Sequence, residues 1–294
     1  MTALVIGARG FLGKEVVKGL QHKSTPIVTT SRTGQNADHS LDISNYKDFE
    51  KLPADGLTSI VNCASALPGG YKDTETMLET FYQSNILGAH NICKFAAKNP
   101  HIKHVVHCST LSVVNKPWPL NLNESECTYP LGKHVHYSSS KLMQELIFNS
   151  FGLESNCDVT LLRFSAIYSE WMKQQGVIAH FIKQAKHNNT IEMSNGDSVH
   201  ADFIHVSDAA QIVISCLDHG GLGVVNAASG EETSLKRLAE HIADSLDTEV
   251  KIQNVNNADA VTSRAKIDIS KLKAFVDVSK FRKMSKGIEV MVKQ

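Results

Sequence analysis

The sequence lacks an excess of one charge, a long apolar run and a closely spaced pair of cysteines. Its 294 residues carry 30 Lys and Arg against 30 Asp and Glu. Proteins that bind the phosphate backbone usually carry a basic excess, so we expect no nucleic-acid partner. No stretch approaches the roughly 18 apolar residues that span a bilayer, so we expect no membrane association. A strand-like run already begins at Ala3, so we expect no signal peptide.

Cysteine is also scarce, and its spacing excludes two classes of site. None of the six cysteines lies in a C-x-x-C pair, so we expect no disulfide framework and a reducing, cytoplasmic location. His101, His104 and His107 are three residues apart, a spacing that could suggest a metal site. The apolar stretch around Val105 is typical of a buried strand, in which side chains three residues apart face opposite sides. We therefore predict no bound metal.

Short apolar runs alternate with amphipathic stretches along the chain. The predicted strands are 3–6, 26–30, a short one ending at 41, 59–62, 104–107, 159–164 and 224–227. The predicted helices are 11–20, 74–98, 142–151, 208–217 and 235–246. This alternation predicts an α/β fold with a doubly wound parallel sheet, the Rossmann arrangement. We assign residues 1–166 to this domain, with 202–227 returning to it, and 167–201 and 228–294 to a smaller C-terminal lobe.

A glycine-rich turn follows the first predicted strand directly and opens the first helix. Gly7 would make the tight turn, Gly10 would let the backbone approach a phosphate, and Gly13 would let the helix pack on the sheet. A pyrophosphate there would meet the positive end of the helix dipole. The spacing differs from G-x-G-x-x-G by one residue, so a tight turn without a ligand is the alternative. The other expected phosphate-side contacts are Arg9, Phe11 and Leu12.

The end of the second predicted strand bears on the choice of dinucleotide. NAD enzymes need a carboxylate there for the ribose hydroxyls, whereas this chain has Ser31 and Arg32. Arg32, helped by Arg9, would attract a 2′-phosphate through charge-assisted hydrogen bonds of roughly 1.5–3 kcal/mol, a preference of about 10- to 100-fold. NADP(H) is therefore the preferred cofactor and NAD(H) the second choice. The alternative is that Arg32 is an ordinary solvated charge.

Tyr137 and Lys141 stand four residues apart before an amphipathic run, so on a helix they share one face. A phenol has a pKa of about 10, and acid–base work near neutrality needs it about three units lower, roughly 4 kcal/mol. An ammonium about 6 Å away would supply roughly 2.8 kcal/mol at a dielectric near 20. Tyr129–Lys133 repeats the spacing, but Pro130 and Gly132 disfavour a helix there. The alternative for Tyr137 and Lys141 is that they are only helix neighbours.

On these motifs the chain resembles, over nearly its whole length, an extended short-chain dehydrogenase/reductase of the NAD(P)-dependent epimerase/dehydratase group, which acts on nucleotide sugars. The resemblance implies a catalytic set of Thr110, Tyr137 and Lys141, with Ser109 and Ser112 as the alternatives to Thr110. It also implies substrate contacts from Ser109, Thr110, Ser112 and Arg264. It also implies that Asp42 holds the adenine. The remaining cofactor contacts that it implies are Ile43, Cys63, Ala64, Ser65, Asn85, Tyr137 and Lys141.

Three departures from the family pattern carry information. Dehydratases of this family have Asp-Glu after the catalytic Thr, where this chain has Leu111 and Ser112, so we expect no dehydratase activity. Ala201 replaces an Arg that clamps the nucleotide diphosphate in the family, which removes roughly 1.5–3 kcal/mol unless His200 or Arg264 compensates. Val114 replaces a common tyrosine, and this exchange would reshape the sugar pocket.

These motifs together predict an NADP(H)-dependent oxidoreductase that reduces a keto group, and we expect the 4-keto carbon of a nucleotide-linked deoxysugar. The alternatives are a nucleotide-sugar 4-epimerase that retains its NAD(P), and a non-catalytic protein that senses NADP. The family resemblance also implies a homodimer formed through the helices that contain Asn85 and Tyr137. Four apolar residues could serve that interface or only the sheet: Ile86, Phe95, Leu142 and Phe148.

Overall fold

Strands and helices alternate along the computed structural model, which describes residues 1–132, 134–172, 176–246, 248–255 and 263–293. The strands are β1 (Thr2–Ile6), β2 (Ile27–Ser31), β3 (His39–Ser40), β4 (Leu57–Asn62), β5 (His104–Thr110), β6 (Asp158–Phe164), β7 (Ala166–Tyr168), β8 (Thr190–Ser194), β9 (His200–His205), β10 (Gly223–Ala227), β11 (Glu232–Ser234) and β12 (Lys251–Val255). The helices are α1 (Phe11–His22), α2 (Tyr46–Phe49), α3 (Thr74–Phe81), α4 (Gly88–Lys98), α5 (Val135–Glu154), α6 (Gly176–Asn188), α7 (Val206–Cys216), α8 (Leu235–Ala243), α9 (Ser270–Lys273) and α10 (Met284–Val292).

Seven parallel strands form the main sheet in the order β3-β2-β1-β4-β5-β6-β10, which confirms the predicted doubly wound fold. Alternate residues of β1 point to opposite faces. Ala3 and Val5 pack in the core that contains Val16 of α1, and Leu4 packs in the core that contains Phe148 of α5. Helices therefore cover both faces of the sheet, as a parallel sheet requires.

The strand order reverses between β1 and β4. The chain runs from β1 outwards to β2 and β3, then crosses back to β4 and continues to β5 and β6 on the other side. A crevice opens at the carboxyl ends of the strands wherever the direction of winding reverses, and ligands of such folds bind there. The glycine turn after β1 and the loop after β4 both begin at this edge, so the fold brings these two segments together.

A second region carries its own sheets and its own core. Strands β7, β9 and β11 form a three-stranded sheet, and β8 pairs with β12. Their core residues include Phe181, Ile191, Phe203, Leu238 and Ile288. Strands β8, β11 and β12 come from the predicted C-terminal lobe, whereas β9 lies mostly within 202–227, the segment that we assign to the main domain. Within that segment only β10 joins the main sheet, beside β6. In the described part of the chain, no helix has the length and apolar character needed to cross a membrane.

The predicted helix 74–98 is interrupted in the structure. Its middle, Tyr82–Leu87, is a π-helical turn that lies between α3 and α4. Such turns place one extra residue in the helix and are often found at functional sites. This turn contains Asn85, a polar residue whose side chain is fully buried. The sequence pattern gave no indication of this interruption, because the apolar spacing continues across it.

Candidate active site

The glycine turn has two positions that its own packing restricts to glycine. Gly7 has a φ of 78°, and a Cβ there would lie 2.8 Å from the backbone nitrogen of Ala64. A Cβ on Gly13 would lie 2.1 Å from the carbonyl oxygen of Gly7. Gly10 begins α1 in an extended conformation, and a Cβ there would meet only the Gly7 oxygen, at 3.1 Å. Gly7 and Gly13 therefore bring α1 close to the sheet, and Gly10 leaves the start of the helix open.

A cleft of about 680 Å³ lies over this turn at the point where the winding reverses. Ten of the predicted cofactor residues line it: Gly7, Arg9, Gly10, Ser31, Arg32, Asp42, Ile43, Cys63, Ala64 and Ser65. Six others are not among its lining residues: Phe11, Leu12, Gly13, Asn85, Tyr137 and Lys141. Leu12 is part of the main core and Phe11 packs against that core. The structure thus gathers the predicted residues of four separate strand ends around one cleft.

Several lining residues were missed by the sequence analysis. Tyr71, Thr76, Thr80 and Ser84 also border the cleft. Thr76, Thr80 and Ser84 are spaced by four residues, so they lie on one face of the helical segment that starts with α3. This regular spacing of small polar residues is a signal that could have identified them. Tyr71 packs edge-on against Phe81, at 5.7 Å between ring centroids, and no sequence pattern marks it.

The basic end of the cleft contains two guanidinium groups, of which only that of Arg9 has a hydrogen-bond partner among the described residues. Arg9 Nη1 donates a hydrogen bond to the carbonyl oxygen of Gln35, at 2.7 Å. The Ser31 hydroxyl donates to the same oxygen, at 3.4 Å. The exposed side chain of Arg32 makes no hydrogen bond or ion pair with any residue that the structure describes. Burial raises the pKa of Tyr71, and the nearby Arg32 charge opposes that rise.

Asp42 lines the cleft, and Asn85 contacts the loop after β4 without lining the cleft itself. The Asp42 carboxylate accepts hydrogen bonds from the backbone nitrogen and the hydroxyl of Ser44, at 3.0 and 2.7 Å. The Asn85 carboxamide accepts from the backbone nitrogen of Ala66 at 2.8 Å and donates to the hydroxyl of Ser140 at 2.8 Å. Asn85 therefore ties the loop after β4 to α5. Its role in the structure is to fix two segments of the site relative to each other.

Three hydroxyl groups connect the end of β5 to α5. Thr110 Oγ1 donates to Ser112 Oγ at 3.1 Å, and Ser138 Oγ donates to the same atom at 3.1 Å. Thr110 also begins a short 3₁₀ turn by accepting from the Ser112 nitrogen. Ser138 follows Tyr137 directly on α5. The strand end that carries Thr110 is therefore bonded to the first turns of the helix that carries the phenol.

Ser109 is directed away from this group. Its hydroxyl is buried and donates to Glu145 Oε1 at 2.5 Å. Glu145 is in turn ion-paired with Arg163 inside the protein. Adjacent residues of a strand point to opposite faces, which explains why Thr110 and Ser109 separate. The predicted substrate contact of Ser109 is thus a buried hydroxyl that already has a carboxylate partner.

Tyr137 and Lys141 lie on α5 as predicted, but their electrostatics differ from the expectation. The half-buried Tyr137 ring lies 6.0 Å from the Phe81 ring, and burial raises the pKa of the phenol instead of lowering it. Lys141 is fully buried, and burial lowers the pKa of its amine to about 8. Its Nζ lies 2.8 Å from the Cys108 carbonyl oxygen, 3.3 Å from His107 Nε2 and 3.5 Å from Ser65 Oγ. The expected lowering of the phenol pKa by Lys141 is therefore absent from this structure.

The repeated motif and the three histidines can also be placed. Tyr129 is exposed outside any helix, as predicted, and Lys133 lies outside the described residues. His104 and His107 both lie on β5, where His104 contacts the Thr160 hydroxyl and His107 lies between Asn62 and Lys141. Where the structure is described, no three His, Cys, Asp or Glu side chains form a cluster suited to a metal. The contact of His107 with Lys141 was missed, although the pairing of β4 with β5 brings Asn62 opposite His107.

The predicted substrate-side cation is already paired. Arg264 donates to both carboxylate oxygens of Glu232, at 2.8 and 2.5 Å. The bond from Arg264 lowers the pKa of Glu232 to about 2. His200 Nδ1 lies 3.2 Å from the Ser263 carbonyl oxygen, and Ala201 packs against the core of the smaller sheets. Arg264 and His200 thus both have partners within the chain.

Comparison with known proteins agrees with this architecture. The chain is 23% identical to a dTDP-4-dehydro-6-deoxyglucose reductase of Escherichia coli over 85% of this chain and 83% of the relative. It is 25% identical to a UDP-glucose 4-epimerase of Vibrio cholerae over 83% and 75%. A solved structure of RMD from Pseudomonas aeruginosa complexed with NADPH superposes with a TM-score of 0.81 at 21% identity, covering 100% of this chain and 98% of that one. Residues 3–228 match the model of the NAD dependent epimerase/dehydratase family. The chain therefore belongs to the NAD-dependent epimerase/dehydratase family of nucleotide-sugar-modifying enzymes.

Proposed function

We propose that this protein is an NADP(H)-dependent oxidoreductase that reduces a keto group, with the 4-keto carbon of a nucleotide-linked deoxysugar as its substrate. The observation that carries the proposal is that α5 holds Lys141 against the strand ends of β4 and β5, beside the dinucleotide-sized cleft, while Tyr137, one turn earlier on the same helix, packs against Phe81. The similarity to a dTDP-4-dehydro-6-deoxyglucose reductase supports the same reaction class.

The residues of the cleft fit a dinucleotide. The open start of α1 at Gly10 offers backbone N–H donors to a pyrophosphate. Asp42 would hold the adenine side, and the unpaired Arg32 would contact a 2′-phosphate. When bound, the reduced dinucleotide would supply the hydride. Solved structures of similar fold hold NADPH in one case and NAD in another, so the preference for the phosphorylated cofactor rests on Arg32.

The remaining chemistry falls to residues of this chain. The Tyr137 phenol would donate its proton to the carbonyl oxygen, and its raised pKa keeps that proton in place at neutral pH. Thr110 would hydrogen-bond the same oxygen. Lys141 would bind the ribose hydroxyls near the reacting carbon. The Ser112 and Ser138 hydroxyls hold Thr110 in position relative to α5.

The test is a panel of nucleotide-linked 4-keto sugars with NADPH and with NADH, followed by absorbance of the reduced cofactor. We expect oxidation of NADPH with at least one 4-ketone and slower oxidation of NADH. Tyr137→Phe should remove nearly all turnover and leave cofactor binding unchanged, because the phenyl ring keeps its packing beside Phe81. Full turnover in that variant would end the proposal.

A nucleotide-sugar 4-epimerase is the second candidate, and the 25% identity to the Vibrio cholerae UDP-glucose 4-epimerase favours it. An epimerase would use the same side chains and regenerate its cofactor in every cycle. Cofactor that remains bound through purification, together with sugar interconversion and no net use of NADPH, would establish this function instead.

We further propose that the region with the small sheets (167–201 and 228–294) binds the substrate, that 1–166 with 202–227 binds the cofactor, and that the protein forms a homodimer in the cytoplasm. Six free thiols suit a reducing compartment. Phe95 and Phe148 are buried in the sheet core, so they do not form the dimer surface. Exposed apolar residues of the same helical layer include Leu78, Tyr82, Met143 and Leu146. Light scattering should report a dimer, and Leu146→Glu should yield a monomer.

A further inference from the structure

Two thiols lie side by side at the carboxyl ends of β4 and β5. In the register of these strands Asn62 lies opposite His107, so the next residues along the chain, Cys63 and Cys108, also face each other. Opposed side chains of neighbouring strands point to the same face of a sheet. The two Sγ atoms are 3.8 Å apart, and one thiol donates a hydrogen bond to the other. Both cysteines are free, so the structure holds them as a reduced pair.

The spacing of the two strands suits a disulfide between these residues. Neighbouring strands lie about 4.7–4.9 Å apart, and the Cα atoms of a disulfide lie about 4.4–6.8 Å apart. The Sγ atoms have to approach from 3.8 Å to the roughly 2.05 Å of an S–S bond. Cys63 follows the last residue of β4, so the backbone that has to move is the beginning of a loop. Bond formation therefore needs a local shift of this loop while β4 and β5 stay paired.

The pair can be reached from the cleft that lies over the glycine turn. Cys63 lines this cleft, and both thiols of the pair are partly exposed. By contrast, Cys93, Cys157 and Cys216 are buried. A small oxidant that enters the cleft therefore meets the Cys63–Cys108 pair before it reaches a buried thiol.

The hydrogen bond between the thiols gives them different roles. It is the largest of the causes that raise the pKa of Cys63 well above its usual value; burial adds to the rise, and the charge of Lys141 opposes it. Cys63 therefore keeps its proton and donates it to the Cys108 sulfur, which is the nucleophile of the pair. Burial lowers the pKa of Lys141 to about 8, and the charge of a Cys108 thiolate opposes that lowering, so the two charges stabilise each other.

We propose that Cys63 and Cys108 form a peroxide-sensitive dithiol, and that its oxidation to an intramolecular disulfide weakens dinucleotide binding. The Cys108 thiolate attacks one oxygen of hydrogen peroxide, which breaks the O–O bond and gives a sulfenic acid and hydroxide. The hydroxide takes up the proton that the Cys108 thiol released. The Cys63 thiol then displaces water from the sulfenic acid as the S–S bond forms. The two thiols lose two electrons in total, the peroxide is reduced to two molecules of water, and a small thiol such as glutathione reverses the reaction by exchange.

The effect on the dinucleotide follows from what lies next to the pair. Cys63 precedes Ala64, whose backbone nitrogen would lie only 2.8 Å from a Cβ on Gly7. Lys141 Nζ contacts the carbonyl oxygen of Cys108 at 2.8 Å. Drawing Cys63 towards Cys108 therefore moves the segment that packs on the glycine turn and disturbs the surroundings of the amine. This link rests on the proposed function, in which the turn holds the pyrophosphate and Lys141 binds the ribose.

The first experiment needs neither substrate nor cofactor. The reduced Cys127→Ser protein, which lacks the exposed thiol that could link two molecules, is treated with hydrogen peroxide, alkylated, digested and mapped by mass spectrometry. We expect a peptide pair joined through Cys63 and Cys108 that dithiothreitol separates, while Cys93 and Cys157 are recovered as free thiols. Absence of that joined pair, or its appearance only together with links between the buried thiols, would overturn the proposal.

Two single variants test the assigned roles. In Cys63→Ser the sulfenic acid has no thiol to react with, so we expect dimedone to trap it on Cys108 after peroxide treatment. In Cys108→Ser we expect much slower dimedone labelling of Cys63, because the nucleophile is gone. Faster labelling of Cys63 than of Cys108 would contradict the assignment of the nucleophile.

The second experiment measures the coupling to the dinucleotide. Calorimetry gives the Kd of NADP⁺ and of NAD⁺ for the dithiol and disulfide forms. We expect binding to the disulfide form to be weaker by about 10-fold, a factor typical of two coupled sites, and to recover with dithiothreitol. Because such coupling is reciprocal, saturating dinucleotide should shift the glutathione redox equilibrium of the pair towards the dithiol by the same factor.

The Cys108→Ser variant is the matched control, since it cannot form the bond. Its Kd for each dinucleotide after peroxide treatment should equal its own Kd before treatment, and a loss of binding there would assign the effect to oxidation elsewhere. Equal binding by the two redox forms of the parent would refute the coupling alone. A reduced protein that binds neither dinucleotide would refute the proposed function together with the coupling.

Discussion

The buried pair of Glu145 and Arg163 offers the sharpest test of how the site is supported. Glu145 accepts three hydrogen bonds from Arg163, from Nε at 3.1 and 3.2 Å and from Nη2 at 2.8 Å. It also accepts from Ser109, and Arg163 Nη1 donates to the Glu124 carbonyl oxygen at 3.2 Å. Only 4% of the Glu145 side chain and 6% of the Arg163 side chain are exposed, so solvent replaces little of a lost partner.

Glu145→Gln keeps the shape but leaves a buried guanidinium that cannot lose its proton. We expect a loss of about 3–5 kcal/mol in the free energy of unfolding. The matched control is Glu240→Gln, which breaks an exposed ion pair with Arg237 and should cost less than about 1 kcal/mol. Replacing both partners, as Glu145→Leu with Arg163→Met, should recover much of the loss.

The assay is urea denaturation at pH 7, monitored by circular dichroism. The dependence of the unfolding free energy on urea concentration (the m value) is compared between variants. A Glu145→Gln protein within about 1 kcal/mol of the parent would refute the reasoning, because it would mean that the guanidinium finds water or another acceptor. A double variant less stable than both single variants would also refute it. The loss in the free energy of unfolding would then come from the interaction of the pair itself and not from burying an unpaired charge.

Two further predictions concern charges at the rims of the site. Arg32→Ala should raise the KM for NADPH by about 10- to 100-fold and leave the KM for NADH unchanged. Arg9→Ala should raise the KM for NADPH less than Arg32→Ala does, because the Arg9 guanidinium is already held by Gln35. Equal changes in KM for both cofactors would exclude a contact between Arg32 and the 2′-phosphate. The Arg264 bond lowers the pKa of Glu232 to about 2, so the stability from this pair is complete above the unfolded pKa and is lost as the pH falls through the folded one. Acid titrations should show this loss between about pH 4.5 and 2 in the parent and not in Glu232→Gln, and an unchanged acid limb in the variant would contradict it.

The sequence was sufficient for the fold because the decisive signals are local. A glycine turn between an apolar run and a helix fixes where α1 begins, and the alternation of strands and helices fixes the class of sheet. The same signals placed Tyr137 and Lys141 on one helix, because helical periodicity needs no knowledge of neighbouring strands. The charge distribution around them could not be predicted in this way. The direction of the Tyr137 pKa depends on how deeply α5 is buried and on where the Lys141 amine finds its acceptors.

The residues that were misjudged share a dependence on register. Ser109 and Thr110 are neighbours with equivalent hydroxyl chemistry, and only their position on β5 directs one towards Glu145 and the other towards Ser112. His107 was considered only as a metal ligand, because its partners come from β4 and α5 and are 45 and 34 residues away. These contacts can be predicted only once β4 is paired with β5 in the observed register, in which Asn62 lies opposite His107.

Two basic groups are buried beside α5, and the protein accommodates them in opposite ways. Arg163 stays charged at any pH that a protein tolerates, so its burial requires the Glu145 carboxylate and further acceptors. Lys141 can lose its proton, and its partners are two oxygens and an imidazole nitrogen rather than a carboxylate. Exchanging the two residue types would therefore fail at both positions. A lysine paired with Glu145 would lack the planar fork that makes its three hydrogen bonds, and an arginine at position 141 would bring into this buried site a charge that it could not give up.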